Sequence, residues 1–177
     1  RHIEDKVTLI DGDLRDLSSL LGVLEASQPE IIFHLAAQSF VTTSYTAPTD
    51  TLESNVIGTG NLLEAVRIAG QDPAIHICSS SEVYGQVTED EVPIREDCPL
   101  RPVSPYAVSK VGEDMLGYMY HQAYGLKTVR SRMFTHSGPR RGEVFVDSFF
   151  ALQVARIEAG KQAPVLRVGN LDSVRTF

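Results

Sequence analysis

Apolar residues along this chain fall into short unbroken runs separated by stretches with helical spacing. Val7-Thr-Leu-Ile10 is the first run and predicts a short buried strand, with Asp11-Gly-Asp13-Leu14-Arg-Asp16 as the loop leaving it. Leu17, Leu20, Leu21 and Leu24 then recur at helical spacing behind Asp16, a suitable cap, until Ser27-Gln-Pro29 ends the helix. Residues 30–37 read as the next buried strand, and residues 48–69 as mostly one long helix with Leu52, Val56, Leu62, Leu63 and Val66 along its stripe. A strand over 74–78 is followed by a long, polar, acid-rich connection over 84–101. A helix opens at Ser104-Pro105, a strand returns over 126–134, a helix over 144–159 is closed by Gly160, and a last strand is expected over 164–168. Strand, helix and strand at this pitch imply parallel βαβ units, hence an α/β, doubly wound parallel sheet of Rossmann-like type. No repeat, low-complexity tract or linker interrupts the chain, so residues 1–177 are expected to form one unit. Its abrupt opening at Arg1 and its stop at Phe177 suggest truncation at both ends.

Composition narrows the function classes. Across 177 residues, 42% are hydrophobic and 22% charged, enough for a real core. Sixteen basic residues against 23 acidic ones give a net charge of -7, which argues against nucleic acid and against an anionic membrane surface. The two cysteines, Cys78 in an apolar stretch and Cys98 in a polar loop, have no metal or framework spacing and read as reduced thiols of a cytoplasmic protein. No apolar run approaches membrane-spanning length. His2, His34, His76 and His121 lack ligand spacing and read as structural, Cys78 as core; no metal site is expected.

The candidate chemistry centres on Tyr106 and Lys110. Four residues apart on a helix, they share one face, and an ammonium beside a phenol favours the phenolate. Ser104 as cap and Pro105 as first helical residue place Tyr106 in the first turn, where the helix dipole acts in the same direction. Open α/β sheets bind ligands beyond the carboxyl ends of their strands. Asp13 and Leu14, then Ala36 to Ser39, then Ser79 to Glu82, then Thr135 to Arg141 each follow a predicted strand, so together they outline a nucleotide crevice. At this stage each also has a plainer reading: Ser79 to Ser81 as strand-end turn residues, Glu82 as a solvated loop acid, His136 as a satisfied polar group, Arg140 and Arg141 as surface ion-pair partners.

Tyr106-x-x-x-Lys110 with the upstream serines, Asp11-Gly-Asp13-Leu14-Arg-Asp16, His34-Leu-Ala-Ala-Gln38, Asn55-Val-Ile-Gly-Thr59 and Ser81-Glu-Val-Tyr-Gly85 resemble the extended short-chain dehydrogenase/reductases that act on nucleotide sugars. Ser137-Gly-Pro-Arg140-Arg141-Gly-Glu143-Val-Phe-Val146 and Gly169-Asn-Leu-Asp-Ser-Val-Arg175 look most like segments of the GDP-mannose 4,6-dehydratases within that family. The resemblance implies a cytoplasmic, redox-neutral enzyme of GDP-mannose, a homodimer or homotetramer, using NADP, with NAD as the possible substitute. It implies Ser80, Glu82, Tyr106 and Lys110 as catalytic residues. It places Asp13, Leu14, Leu35, Ala36, Ala37, Gln38, Ser39, Tyr106, Lys110, His136 and Arg141 at the cofactor, and Ser81, Thr135 and Arg175 at the substrate.

In that scheme Tyr106 takes the sugar O4 proton, Ser80 bonds the same oxygen, and Lys110 binds the nicotinamide ribose and depresses the Tyr106 pKa. Glu82 alone then serves both as base at C5 and as proton donor to the departing hydroxyl, where dTDP-glucose dehydratase-like sequences carry an Asp-Glu pair. Three departures stand out. The glycine-rich pyrophosphate loop is absent, as though the chain starts after the first βαβ unit and stops before a C-terminal substrate lobe; Gly58-Thr-Gly60 lies in a helical pattern and does not replace it. Ser80 stands where the dehydratases typically have Thr, and Thr135 where they have Asn. A nucleotide-sugar 4-keto reductase or epimerase of the same fold, and a noncatalytic fragment, are the alternative readings.

Overall fold

The computed structural model describes residues 4–172, which fall into two compact units: one up to Met133, the other from Phe134 onward. The predicted site residue Arg175 lies outside the described residues.

In the first unit, strands β1 (Ile31–His34), β2 (Ala74–Ser80) and β3 (Lys127–Met133) form a parallel sheet in the order β1-β2-β3. Ile32 pairs with Ile75 and Ile77 with Arg130, so the pleat assigns Ile32, Ile75 and Ile77 to one face. That face carries the core. Helix α1 (Leu17–Ser27) contributes Leu20 and Leu24, helix α4 (Gly58–Ala69) Leu62, Leu63 and Val66, and helix α5 (Pro105–Tyr124) Tyr120. The opposite face of the same strands leaves Ile31, Phe33 and Val129 exposed at 58%, 67% and 61%. Cys78, expected in the core, belongs to this second face and is only half-buried, beside Met133 Sδ at 3.2 Å.

Helix boundaries follow local chemistry. Asp16 caps α1, accepting from Ser18 N at 2.9 Å, and Gln28 ends it in the left-handed region at φ 43°. Ser104 caps α5 through Ala107 N at 3.0 Å with Pro105 first in the helix, and Gly125 closes it at φ 74°.

The expected helical stretch over 48–69 forms, but its α geometry is interrupted within it. A short helix α2 (Val41–Thr46) precedes α3 (Pro48–Leu52), and one π turn over Glu53–Ile57 joins α3 to α4. The buried Asn55 sits in that turn with its side chain committed outside the helix, which is where its apolar stripe gave no warning.

Two expected strands do not form. Residues 7–10 have no regular structure and Val7, Leu9 and Ile10 stand exposed, because among the described residues no strand lies beside them to complete a ladder. Residues 164–168 are likewise irregular. There, in the second unit, the buried amide of Gln153 on helix α6 (Val146–Glu158) bonds both to Arg167 O at 2.9 Å and from Arg167 N at 2.7 Å, and Gln162 donates to Val165 O. Side-chain amides thus satisfy backbone groups that a neighbouring strand would otherwise take.

Candidate functional site

Strand β2 and the first turns of α5 build the centre of the site. Ser79 Oγ donates to Lys110 O at 3.0 Å, tying the helix to the end of the strand. Ser80 leaves the sheet as the cap of a single 3₁₀ turn, Ser81–Tyr84, accepting from Glu82 N at 3.2 Å. Tyr106, in the first turn of α5, is near enough that the Ser80 hydroxyl lowers, and negative charge at Glu82 raises, the pKa of its phenol. The Ser80 cap on one side and the N-terminus of α5 on the other thus place Ser80, Glu82 and Tyr106 at the carboxyl end of β2.

Lys110 is 5% exposed and donates to Cys78 O at 2.9 Å and to Glu113 Oε2 at 3.0 Å. Its ammonium lies 5.8 Å from the Tyr106 ring centroid. The expectation that Lys110 depresses the Tyr106 pKa is not met here. Burial pushes the phenol up to about 12; the Ser80 hydrogen bond opposes this, and negative charge at Glu113, Cys78 and Glu82 adds to the rise. Burial is the main cause, and the buried Glu113 carboxylate, paired with the Lys110 ammonium, adds to it. Burial in turn pushes Glu113 up to about 7 against the pull of Lys110.

The loop after β1 is pinned by Asn55. Its Oδ1 accepts from Gln38 N at 2.7 Å, and its Nδ2 donates to Gln38 O at 3.0 Å and to Ser109 Oγ at 2.8 Å. One amide thus locks the backbone after β1 to α5 one turn from Tyr106. The Gln38 side chain closes on Phe40 in its own loop and on Thr51 of α3, while Leu35, Ala36 and Ser39 are exposed and Ala37 half-buried. Before them, Leu14 packs under the start of α4, where a β-carbon on Gly58 would come within 2.9 Å of Leu14 Cβ. Asp13 is exposed and pairs with Arg15 at 3.1 Å, and that hydrogen bond holds its carboxyl below the usual range. Ser81 is half-buried in the 3₁₀ turn.

Of the remaining predicted residues, Thr135, His136 and Arg141 belong to the second unit. His136 is exposed and bonds Phe134 O at 2.9 Å through Nδ1. Arg141 donates to His136 O, lies 3.1 Å from Asp147 Oδ1 as an ion pair, and stacks 4.0 Å over the Phe145 ring.

Of the histidines read as structural, His2 lies outside the described residues and the other three are hydrogen-bonded. His34 is buried against Thr59 Oγ1 at 2.8 Å and its pKa is lowered to about 4 by burial and then by Lys110; His76 bonds Ser131 at 2.7 Å and His121 bonds Leu126 O. Asn55, Glu113 and Asp114 escaped sequence reasoning. Asp114 is 1% exposed and pairs with Arg130 and Arg132 at 2.5 and 2.8 Å. The signal for all three was polarity at positions where α/β helices bury apolar side chains. Among the described residues no helix is long and apolar enough to cross a membrane, and no cluster of metal ligands forms.

A serine ending a parallel strand, with a tyrosine in the first turn of the helix packed on it and a lysine one turn along that helix, defines a short-chain dehydrogenase/reductase type of chain. The chain belongs to the GDP-mannose 4,6-dehydratase family, whose description matches residues 1–177. It is 40% identical over 168 residues to a GDP-mannose 4,6-dehydratase of Yersinia enterocolitica, covering 94% of this chain and 44% of that protein. It is 38% identical over 157 residues to a GDP-6-deoxy-D-mannose reductase of Pseudomonas aeruginosa, covering 89% of this chain and 52% of the relative. The solved structure of RMD from Pseudomonas aeruginosa complexed with NADPH superposes with a TM-score of 0.87 at 36% identity, over 93% of this chain and 56% of that one. The chain thus spans roughly half the length of these relatives.

Proposed function

We propose that this chain carries the catalytic centre of a nucleotide-sugar 4,6-dehydratase that converts GDP-mannose to GDP-4-keto-6-deoxy-mannose with NADP as bound cofactor. The observation that carries the reading is that Ser80, Glu82 in the turn after β2, and Tyr106 in the first turn of α5 all lie at the carboxyl end of β2, where Ser79 Oγ on Lys110 O ties the helix to the strand. An epimerase needs no carboxylate there and an elimination requires one, while a 4-keto reductase can share the same Ser81-Glu-Val-Tyr-Gly85 run.

The residues suit a nicotinamide dinucleotide. The alanines after β1 present low side chains at the carboxyl end of the sheet, and Lys110 has committed two of its three N–H donors, leaving one for a ribose hydroxyl. When bound, the nicotinamide supplies the acceptor for hydride from C4 and its return to C6. The chain's own groups manage the protons. Tyr106, as phenolate, takes the O4 proton while Ser80 donates to the same oxygen. The resulting C4 ketone acidifies C5; Glu82 removes that proton and delivers one to the C6 hydroxyl, which leaves as water, and C5 is reprotonated as C6 is reduced.

Turnover of GDP-mannose by the complete natural protein in deuterated water tests this: deuterium at C5 without net NADPH consumption is expected. The 38% identity to a reductase supports a second reading, which net NADPH oxidation by a 4-keto sugar would favour. No turnover with Glu82 and Tyr106 intact would leave a noncatalytic subunit.

The assembly we propose is a homodimer or homotetramer. Val108, Met115, Tyr118 and Met119 form an exposed apolar stripe on α5, a surface suited to a second copy. Sedimentation equilibrium of the protein is expected to give a dimer or larger.

A further inference from the structure

Tyr106, Lys110 and Glu113 stand at i, i+4 and i+7 of α5 and so share one stripe of the helix. The sheet-facing end of such a stripe ordinarily carries an apolar side chain. Glu113 instead buries a carboxyl at 1% exposure, with Oε2 on Lys110 Nζ and Oε1 sealed from solvent without a hydrogen-bond partner among the described residues. An orphaned acceptor beside a paired one is costly, and two well-packed apolar residues would be the cheaper solution for stability alone. Lys110 is thereby held on two fixed acceptors, the Cys78 carbonyl and Glu113, which leaves its third donor in one direction.

We propose that Glu113 is a positioning residue for the proposed reaction: a buried carboxyl that aims the Lys110 ammonium and, by gaining or losing a proton, sets how much of that charge reaches Tyr106.

The surrounding charges fit this role. On α5 itself, Asp114 is turned away to Arg130 and Arg132 of β3. From β2 the neighbour is the Cys78 thiol, whose pKa burial raises; from β1 it is His34, which burial keeps neutral; from the turn after β2 it is Glu82, acting on Tyr106. Asp50 and Glu53, on the helix packed beside α5, are exposed, and Glu64 of α4 is bonded to Arg67 and Tyr120. Lys110 is thus the cation that Glu113 meets, and burial raises the Glu113 carboxyl to about 7 against the pull of that ammonium. With Glu113 ionised, the pair is neutral and Tyr106 keeps its proton. With Glu113 protonated, the ammonium acts on the phenol uncompensated and favours the phenolate.

This inference rests on the reading of Tyr106 and Lys110 as catalytic, and its test separates the two. In the complete natural protein, Glu113→Gln keeps the shape and an acceptor oxygen but removes the titration, whereas Glu113→Ala removes both. NADPH affinity by fluorescence and kcat, each followed from pH 5.5 to 8.5, are expected to inflect near neutrality in the natural protein. The inflection is expected to vanish in Glu113→Gln with affinity retained to within a few-fold, while Glu113→Ala weakens NADPH about tenfold or more, in line with a lost charge-assisted contact. Identical pH profiles in the natural protein and Glu113→Gln would overturn the proposal. If Glu113→Gln does not fold, or NADPH does not bind, carbon-13 NMR of the glutamate carboxyls in the natural protein decides. A midpoint near neutrality that moves upward in Lys110→Met supports the pair; a carboxyl titrating in the ordinary range overturns it.

Discussion

At the scale of single residues, two buried groups that both feel the Lys110 ammonium should give opposite pH dependences. Glu113 titrates near 7 when folded against 4.5 for a free carboxyl, so the folded state binds the extra proton between those values and the stability Glu113 contributes falls as pH rises through that window. The change is on the order of 3 kcal/mol for a shift of this size. His34, at about 4 against 6.5, acts the other way: the unfolded chain binds the extra proton, so stability is lost as pH falls from 6.5 toward 4. The two contributions nearly cancel over the shared window, and urea midpoints between pH 5 and 6.5 are expected to be flat on their account. Glu113→Gln should uncover a decline on acidification, and His34→Asn a decline on alkalinisation. Tyr106→Phe keeps the ring and removes the proton carrier; turnover is expected to drop by about 10²- to 10⁴-fold with NADPH affinity little changed, as steady-state rates and fluorescence titration would show.

Among the elements, the site depends on how α5 and the broken helix before α4 are anchored. Ser104→Ala removes the cap that fixes the first turn of α5, at a cost of about 1 kcal/mol, and should lower kcat beyond that loss because Tyr106 sits in the unfixed turn. Asn55→Ala leaves Gln38 N–H and C=O and Ser109 without their partner; a loss of about 2 to 4 kcal/mol is expected in chemical denaturation, with weakened NADPH binding as the loop after β1 loosens. Gly85 marks the exit from the 3₁₀ turn at φ 61°, and a β-carbon there would overlap Arg101 O, so Gly85→Ala should displace the connection over 85–101 and with it Glu82. The α1, α5 and β2 elements were legible from their stripes and caps because those signals are local. The π turn was not: its cause is Asn55 bonding residues 17 and 54 positions away, a partner set that no periodicity records.

For the whole molecule, the sheet is asymmetric: one face carries the core, and the other exposes Ile31, Phe33 and Val129. Phe33→Thr on the exposed face is expected to raise the soluble yield of this chain while leaving its unfolding midpoint nearly unchanged, since little buried area is lost. The parallel α/β class and the helix capped by Ser104 were determined by the sequence alone, because caps, turns and runs of apolar residues act over a few residues. Tertiary structure alone decided the state of Lys110. Spacing shows that it can face Tyr106, but burial beside Glu113 is a property of how α5 lies on β2, and desolvation there outweighs the attraction that spacing suggests. It also decided that residues 7–10 and 164–168 are not strands, since a ladder exists only where a neighbouring backbone is present to complete it.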